Sequence, residues 1–114
     1  MDERRRQRLQ GVIREAVGEI LSRDVSDERL RSLRITRVKL SRDGSNATLF
    51  FETTGTEEEN EDTFEALESA KRFIRKKLAS RVTMRTVPIL SFVRDDSGKK
   101  GDSVLNIIRE LGID

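Results

Sequence analysis

Apolar residues recur at helical spacing in the first segment of the chain. They follow one another at alternating steps of three residues and one residue: Leu9, Val12, Ile13, Ala16, Val17, Ile20 and Leu21. This is the spacing of an apolar stripe along one side of an α-helix. The pattern predicts a helix from about Glu3 to Arg23. The turn and capping residues between Asp24 and Ser32 predict a loop or a short helical turn after it.

The next apolar residues alternate with polar ones, which is the pattern of β-strands. In the first strand, which begins at Leu33 and ends at Leu40, the alternation slips by one residue. A bulge near Thr36 or Arg37 would keep the apolar side chains of both halves on the core face. We therefore predict one bulged strand over this segment.

A hairpin turn is predicted between the first two strands. The turn residues run from Ser41 to Asn46, and Asp43-Gly44 is the strongest signal among them. In the strand that follows, one predicted face carries Ala47, Leu49 and Phe51. Phe50 is predicted to lie on the other face.

The second half of the chain predicts a long helix, a third strand and a terminal helix. The polar, acidic residues 55–60 predict a loop, and the helical spacing of the next apolar residues predicts a helix over about Asp62 to Arg81. Pro88 to Val93 predict a strand, in which proline is tolerated at the first position. Residues 95–101 predict a loop and residues 104–111 a short helix. This order predicts one α+β domain over residues 1–114, with helices over one face of a three-stranded sheet.

The composition excludes most familiar enzyme chemistries. The 114 residues include no cysteine and no histidine, so disulfides, the usual zinc sites, cysteine nucleophiles and Ser-His-Asp triads are excluded. The adjacent acids Asp95-Asp96 and Glu57-Glu58-Glu59 could in principle hold Mg²⁺ or share a proton. No nucleophile or second base is evident to complete such a site. We therefore expect no catalytic residue, no metal and no cofactor.

No apolar run approaches the roughly 20 residues of a membrane span. The start of the chain, Met1 to Arg8, carries charges where a signal peptide has its apolar stretch. We therefore expect a cytoplasmic protein with no membrane partner.

Charge is segregated along the chain although the formal net charge is only +2. Six basic residues and no acid lie between Arg29 and Arg42, and seven basic residues and no acid lie between Lys71 and Arg85. Seven acids and no base lie between Glu57 and Glu68. Such segregation predicts a positive surface, typical of nucleic-acid binding, and a separate negative edge.

Several segments resemble ribosome-binding factor A, a family of bacterial small-subunit assembly factors. The resemblance rests on the basic first helix, on residues 35–51 with Ser41-Arg42-Asp43, and on residues 66–97 with Phe73-Ile74-Arg75 and Arg85-Thr86-Val87-Pro88. It implies a KH-like (type II) fold that lacks the GXXG loop of most KH domains, and no GXXG occurs here. The family typically interrupts its long helix at an Ala-x-Gly motif. The matching positions read Ala70-Lys71-Arg72, with arginine in place of the glycine.

The resemblance also implies a function. A member of this family is expected to bind the free 30S subunit, to contact 16S rRNA during its late processing and maturation, and to matter most for growth in the cold. Release helped by a small-subunit-dependent GTPase is expected, and the protein itself is expected to be a monomer without enzymatic activity.

Eleven basic residues are the candidate RNA contacts: Arg5, Arg8, Arg37, Lys39, Arg42, Lys71, Arg72, Arg75, Lys76, Arg81 and Arg85. They are expected to recognise the shape and backbone of RNA, because the chain has no tyrosine or tryptophan for stacking. Four of the five phenylalanines are predicted to lie in the core, with Phe50 or Phe73 as the exposed exception. Two other functional classes remain open: a protein adaptor that docks through the acidic edge and the terminal helix, and a hydrolase that uses carboxylates and lysines.

Overall fold

The computed structural model describes residues 1–95 of the chain. The elements, in chain order, are helix α1 (Glu3–Glu19), a π-helical turn (Ile20–Asp24), a 3-10 turn (Glu28–Leu30), strands β1 (Arg34–Leu40) and β2 (Asn46–Glu52), helix α2 (Glu57–Arg81) and strand β3 (Ile89–Arg94). The predicted α+β class and the order helix, strand, strand, helix, strand are confirmed. The predicted terminal helix lies outside the described residues.

The three strands form one mixed sheet in the order β1-β2-β3. β1 and β2 are antiparallel, as the predicted hairpin requires, whereas β2 and β3 are parallel and pair from Asn46 with Ile89 to Phe51 with Arg94. A parallel pair needs a crossover connection, because the chain must return to the end of the sheet at which the first strand began. α2 provides that crossover.

The predicted bulge in β1 is confirmed. The register of β1 against β2 shifts between Ile35 and Arg37, which leaves Thr36 as the extra residue. The Thr36 hydroxyl lies 2.6 Å from Asp95 Oδ2 and donates a hydrogen bond to it. Because of the bulge, Ile35 and Val38 both point into the core, at 7% and 4% exposure.

The core lies between the two helices and one face of the sheet. Its largest fully buried side chains come from every element of the described fold: Ile13, Ile20, Leu21, Leu30, Leu40, Leu49, Phe51, Leu67, Ile74, Leu78 and Leu90. Each such side chain stabilises the fold by roughly 1.5–3 kcal/mol relative to an exposed one. Packing of the two amphipathic helices on the sheet therefore supplies the main driving force for folding.

The phenylalanine prediction is wrong for one residue, Phe64, and the exposed exception is Phe73 rather than Phe50. Phe50 is fully buried, although it lies on the sheet face opposite the helices, and the Arg37 guanidinium lies 4.2 Å from its ring centroid. Phe64 is 40% exposed, although one side of its ring packs on Phe51 with a 6.3 Å centroid separation at the margin of the core. Phe73, the other exception that the sequence allowed, is also 40% exposed.

The acidic segment predicted as a loop belongs largely to α2. The helix begins at Glu57, five residues before the predicted start, because the Thr56 hydroxyl accepts a hydrogen bond from Glu59 N at 3.1 Å. Thr56 and Glu59 have the spacing of a capping box. The negative charges of Glu57 and Glu58 in the first turn stabilise the helix, because they lie at the positive end of its dipole. The acids of this segment therefore have a structural role.

The interruption implied at Ala70-Lys71-Arg72 is not present. α2 passes through these positions as one continuous helix to Arg81. Arginine is a better helix former than glycine by roughly 1 kcal/mol per residue, so position 72 lacks the residue that would favour a break. Ala70 also packs against the core cluster from within the helix.

The hairpin turn is fixed by one glycine and one carboxylate. Gly44 has φ of 76°, a backbone conformation that favours glycine, as the Asp43-Gly44 pattern predicted. The Asp43 carboxylate accepts hydrogen bonds from Ser45 N at 3.0 Å, Ser45 Oγ at 2.7 Å and Ser41 Oγ at 2.9 Å. These hydrogen bonds lower the pKa of Asp43 to about 2, and those from Ser45 contribute most.

Replacing Thr56 by alanine should destabilise the fold. The variant loses the N-cap hydrogen bond to Glu59 N, which should lower the free energy of unfolding in urea by about 1 kcal/mol. Thr54→Ala is the matched control, because Thr54 is exposed and makes no side-chain hydrogen bond to a described residue. Equal losses in the two variants would show that the cap does not stabilise α2.

The Asp43 carboxylate should make stability depend on pH. The pKa of Asp43 is lower in the folded state than its ordinary value of 3.8. The ionised carboxylate therefore stabilises the fold above pH 3.8, and this stabilisation is lost as the pH falls toward about 2. The stability deficit of Asp43→Asn against the wild type should therefore be constant near neutral pH and shrink on acidification. Urea unfolding of both proteins between neutral and acid pH measures this deficit. The variant Glu61→Gln, at an exposed residue, is the control. A deficit that stays the same at acid pH would contradict the assignment.

Candidate nucleic-acid interface

Three of the candidate cations surround one shallow depression beside α2. We call it the helix-side depression, and its lining residues are Arg72, Arg75, Lys76, Ala79 and Val87. Arg72 and Lys76 are exposed and make no side-chain hydrogen bond or ion pair to another described residue. The depression therefore has an apolar floor and three cationic side chains, with no acid in its lining.

Arg75 is held in place by the segment that precedes β3. Its Nε donates to the carbonyl oxygen of Pro88 at 3.0 Å, and its Nη2 donates to that of Val87 at 2.8 Å. A guanidinium group has five N–H donors in one plane, so the remaining donors stay available to a ligand. The two bonds fix the plane of the group before any ligand arrives.

A second depression lies between the start of α1, the hairpin turn and the residues after α2. We call it the turn-side depression, and its lining residues are Met1, Arg5, Leu9, Leu40, Asp43, Gly44, Thr83, Met84, Arg85 and Thr86. It combines two guanidinium groups with two threonine hydroxyls, which are the groups that proteins use to bind phosphate oxygens. The one acid of its lining, Asp43, is already occupied by the hydrogen bonds of the turn.

The start of α1 is fixed against the end of β1, which brings Arg5 to this depression. Arg6 Nη1 donates to the carbonyl oxygen of Leu40 at 3.1 Å, and Leu40 N donates to Gln10 Oε1 at 2.9 Å. Arg42 projects from the same hairpin turn, close enough to Glu3 to contribute to lowering the pKa of that carboxyl, after the hydrogen bond from Arg6.

The two depressions are neighbours, because the segment 83–87 contributes residues to both. Together with the hairpin turn they bring six of the candidate cations to one side of the molecule: Arg5, Arg42, Arg72, Arg75, Lys76 and Arg85. We call this set the basic band. Residues from four separate segments form it, so no single stretch of sequence contains it.

Two other candidates are engaged in ion pairs. Arg81 bonds to Glu19 at 3.0 Å and to Asp24 at 2.5 Å, and so ties the end of α2 to the end of the first helix. Lys71 pairs with Glu68, one turn earlier on α2, at 2.9 Å. Arg81 therefore has a structural role, and an RNA contact by either residue would compete with an internal carboxylate.

The remaining three candidates line neither depression. Arg37 is on the sheet face opposite the helices, above Phe50. Lys39 is half-buried two positions further along β1, and Arg8 is exposed on α1 without lining either depression. The eleven predicted residues therefore do not form one surface.

Sequence reasoning missed the hydroxyl groups of the turn-side depression. Thr83 and Thr86 lie in a segment without hydrophobic periodicity. The only available signal was the position of two threonines on either side of Arg85.

Neither a metal-binding cluster nor a membrane-spanning helix is found in the described part of the chain. Within residues 1–95, no group of three or more carboxylates is arranged to hold a metal ion. No described helix is both long and apolar enough to cross a membrane.

Comparison with known proteins identifies the family. The family model of ribosome-binding factor A matches residues 5–108. Ribosome-binding factor A of Dictyoglomus thermophilum is 45% identical over 111 residues, covering 96% of this chain and 92% of the relative. That of Carboxydothermus hydrogenoformans is 43% identical over 105 residues, covering 92% of this chain and 84% of the relative.

Solved structures agree with the sequence comparison. The crystal structure of ribosome-binding factor A from Thermus thermophilus matches with a TM-score of 0.70 and 32% identity, over 78% of this chain and 94% of that one. A Thermus thermophilus homology model, fitted into the cryo-EM map of a 30S complex of that protein, matches with a TM-score of 0.66 and 32% identity, over 78% of this chain and 93% of that one. These folds are consistent with the predicted KH-like arrangement, and this chain belongs to the ribosome-binding factor A family.

Proposed function

We propose that this protein binds the free 30S ribosomal subunit and contacts the backbone of its 16S rRNA through the basic band. The observation that carries the proposal is the grouping of five cations in the linings of two neighbouring depressions, beside Arg42 of the hairpin turn, with Asp43 as the only acid in those linings. The fit of a Thermus thermophilus relative into the map of a 30S complex supports the choice of partner.

The chemistry of the band favours recognition of RNA shape and backbone. Guanidinium, ammonium and hydroxyl groups bind phosphate oxygens in any sequence context. Among the residues lining the two depressions there is no aromatic side chain on which a base could stack. Neutralised phosphates release counterions, so the affinity should fall steeply with salt.

The family resemblance supplies the finer parts of the proposal. The bound protein assists late processing and maturation of the 16S rRNA, which matters most for growth in the cold. It acts in the cytoplasm as a monomer without catalytic activity of its own, and a small-subunit-dependent GTPase helps its release.

Charge reversal at two positions of the band tests the proposal. In the variant Arg72→Glu/Lys76→Glu, the changed residues are exposed and have no described ion-pair partner, so the fold should be retained. Lys71 and Arg75 stay unchanged because they bond to Glu68 and to two backbone carbonyls. Co-sedimentation with separated 30S and 50S subunits at about 50 and about 200 mM salt measures the binding.

The wild type should sediment with the 30S subunit alone, and less so at the higher salt. The variant should bind at least about tenfold more weakly and show a salt slope smaller by about 1 per lost phosphate contact. The control is Arg14→Glu/Arg23→Glu, which reverses two exposed charges on or just after α1 and outside both depressions.

Equal loss of binding in both variants would mean that net charge, and not the basic band, sets the affinity. Equal binding of the wild type to both subunits would indicate general affinity for polyanions. No binding of the wild type to either subunit would favour a protein adaptor.

A further inference from the structure

An apolar groove lies outside the basic band, between α2 and the residues that follow α1. Its apolar lining comprises Val25, Leu30, Ala66, Ala70 and Phe73, and its volume is about 340 Å³. Phe73 forms one wall and is 40% exposed. The groove therefore presents an aromatic surface to solvent that the core does not use.

The polar lining of the groove contains carboxylates and hydroxyls but no cation. These residues are Asp24, Ser26, Asp27 and Ser69. The groove also lies at the end of the long first helix, since the π-helical turn that extends α1 ends at Asp24. The C-terminal end of a helix carries partial negative charge on its free carbonyl groups. A cationic ligand would therefore find acceptors at this rim.

One arginine near the groove is shared between two acids. Arg81 pairs with Asp24, which lines the groove, and with Glu19. One guanidinium charge cannot neutralise two carboxylates, so this end of the rim keeps an excess negative charge.

The other end of the groove has a larger excess. Arg29 pairs with Asp27 at 2.7 Å, and the hydrogen bond to Asp27 chiefly raises the pKa of Arg29. Asp62 and Glu65 on α2 are close enough to raise it further. Three carboxylates therefore surround this arginine.

Across both ends, five carboxylates face two guanidinium groups. Two further cations lie beside the groove: Arg31 Nη2 donates to the carbonyl oxygen of Val25 at 3.4 Å, and Lys77 Nζ lies 5.7 Å from the Phe73 ring centroid. One negative charge remains in excess. A phosphate backbone would be repelled by the excess, whereas lysine and arginine side chains would be attracted to it.

We propose that this groove docks a basic polypeptide segment that inserts one apolar side chain against Phe73. Proteins that bind rRNA carry such segments because they neutralise phosphates with lysine and arginine. The inference does not depend on RNA binding by this chain, since groove and basic band share no residue.

A short lysine-rich peptide with one central leucine is the probe. Titrating it into isotope-labelled protein should shift the backbone amide NMR signals of Val25, Leu30, Ala66 and Ala70. Replacing the leucine of the peptide by serine should weaken binding by at least about tenfold, because the apolar anchor is lost. A peptide with glutamate in place of lysine should not bind.

Two variants of the protein test the same contacts. Phe73→Ala should weaken binding of the leucine peptide by about tenfold, and Glu65→Lys should weaken it most at low salt because it reduces the negative excess. Phe64→Ala is the matched control, since Phe64 is also 40% exposed but packs on Phe51. It should leave the affinity unchanged.

Any of four results would overturn the inference. The leucine peptide could leave the groove signals unmoved, or the serine peptide could bind equally well. A single-stranded oligouridine could shift these signals where the peptide does not, which would assign the groove to RNA. The signals could also move with protein concentration alone, which would assign it to a second copy of the chain.

Discussion

The parallel pairing of β3 with β2 is the constraint on which the rest of the structure depends. After β2 ends at Glu52, the chain must return to the end of the sheet where β2 begins, because Ile89 pairs with Asn46. α2 makes this return across one face of the sheet. Its acidic first turns therefore follow the end of β2, and its basic last turns lead toward the start of β3. The charge segregation seen along the sequence thus becomes a separation in space.

The same crossover explains how distant segments meet in the basic band. The chain leaves α2 at Arg81 and passes the hairpin turn, where Ile89 N donates to the carbonyl oxygen of Ser45 at 2.9 Å. The start of α1 is fixed to the same end of the sheet through the bonds of Arg6 and Gln10 with Leu40. Cations from the start of α1, the hairpin turn, α2 and the segment 83–87 therefore face one side.

The features that sequence analysis predicted correctly depend on local patterns. The bulge at Thr36 follows from a phase slip within one strand, and the turn at Asp43-Gly44 follows from a local backbone requirement. The start of α2 at Glu57 differs from the prediction, because a run of acids after Thr56 favours a loop, whereas Thr56 and Glu59 have the spacing of a capping box. The family pattern implies an interruption of α2, but the helix is continuous here, where Arg72 replaces the glycine of that pattern.

The candidate site was harder to predict, because it depends on which cations have internal partners. Arg81 and Arg72 look alike in a basic run, but the partners of Arg81 lie 62 and 57 residues away in sequence. Only the packing of α2 against the end of the first helix brings them together. The burial of Phe50 similarly depends on the Arg37 side chain of the neighbouring strand. The sequence therefore predicted the charge of the surface but not the division of its cations between structure and binding.

Site-specific photo-crosslinking tests the central claim most directly. A photoreactive amino acid at Ala79, an exposed residue in the lining of the helix-side depression, should crosslink to 16S rRNA when the protein is bound to 30S subunits. The same group at Gly11 is the control, because Gly11 is exposed on α1 and a side chain there would contact nothing within 4 Å. We expect an rRNA crosslink from position 79 and little or none from position 11. Crosslinks from position 79 to ribosomal proteins alone, or equal rRNA crosslinks from both positions, would contradict the assignment of the basic band to the rRNA backbone.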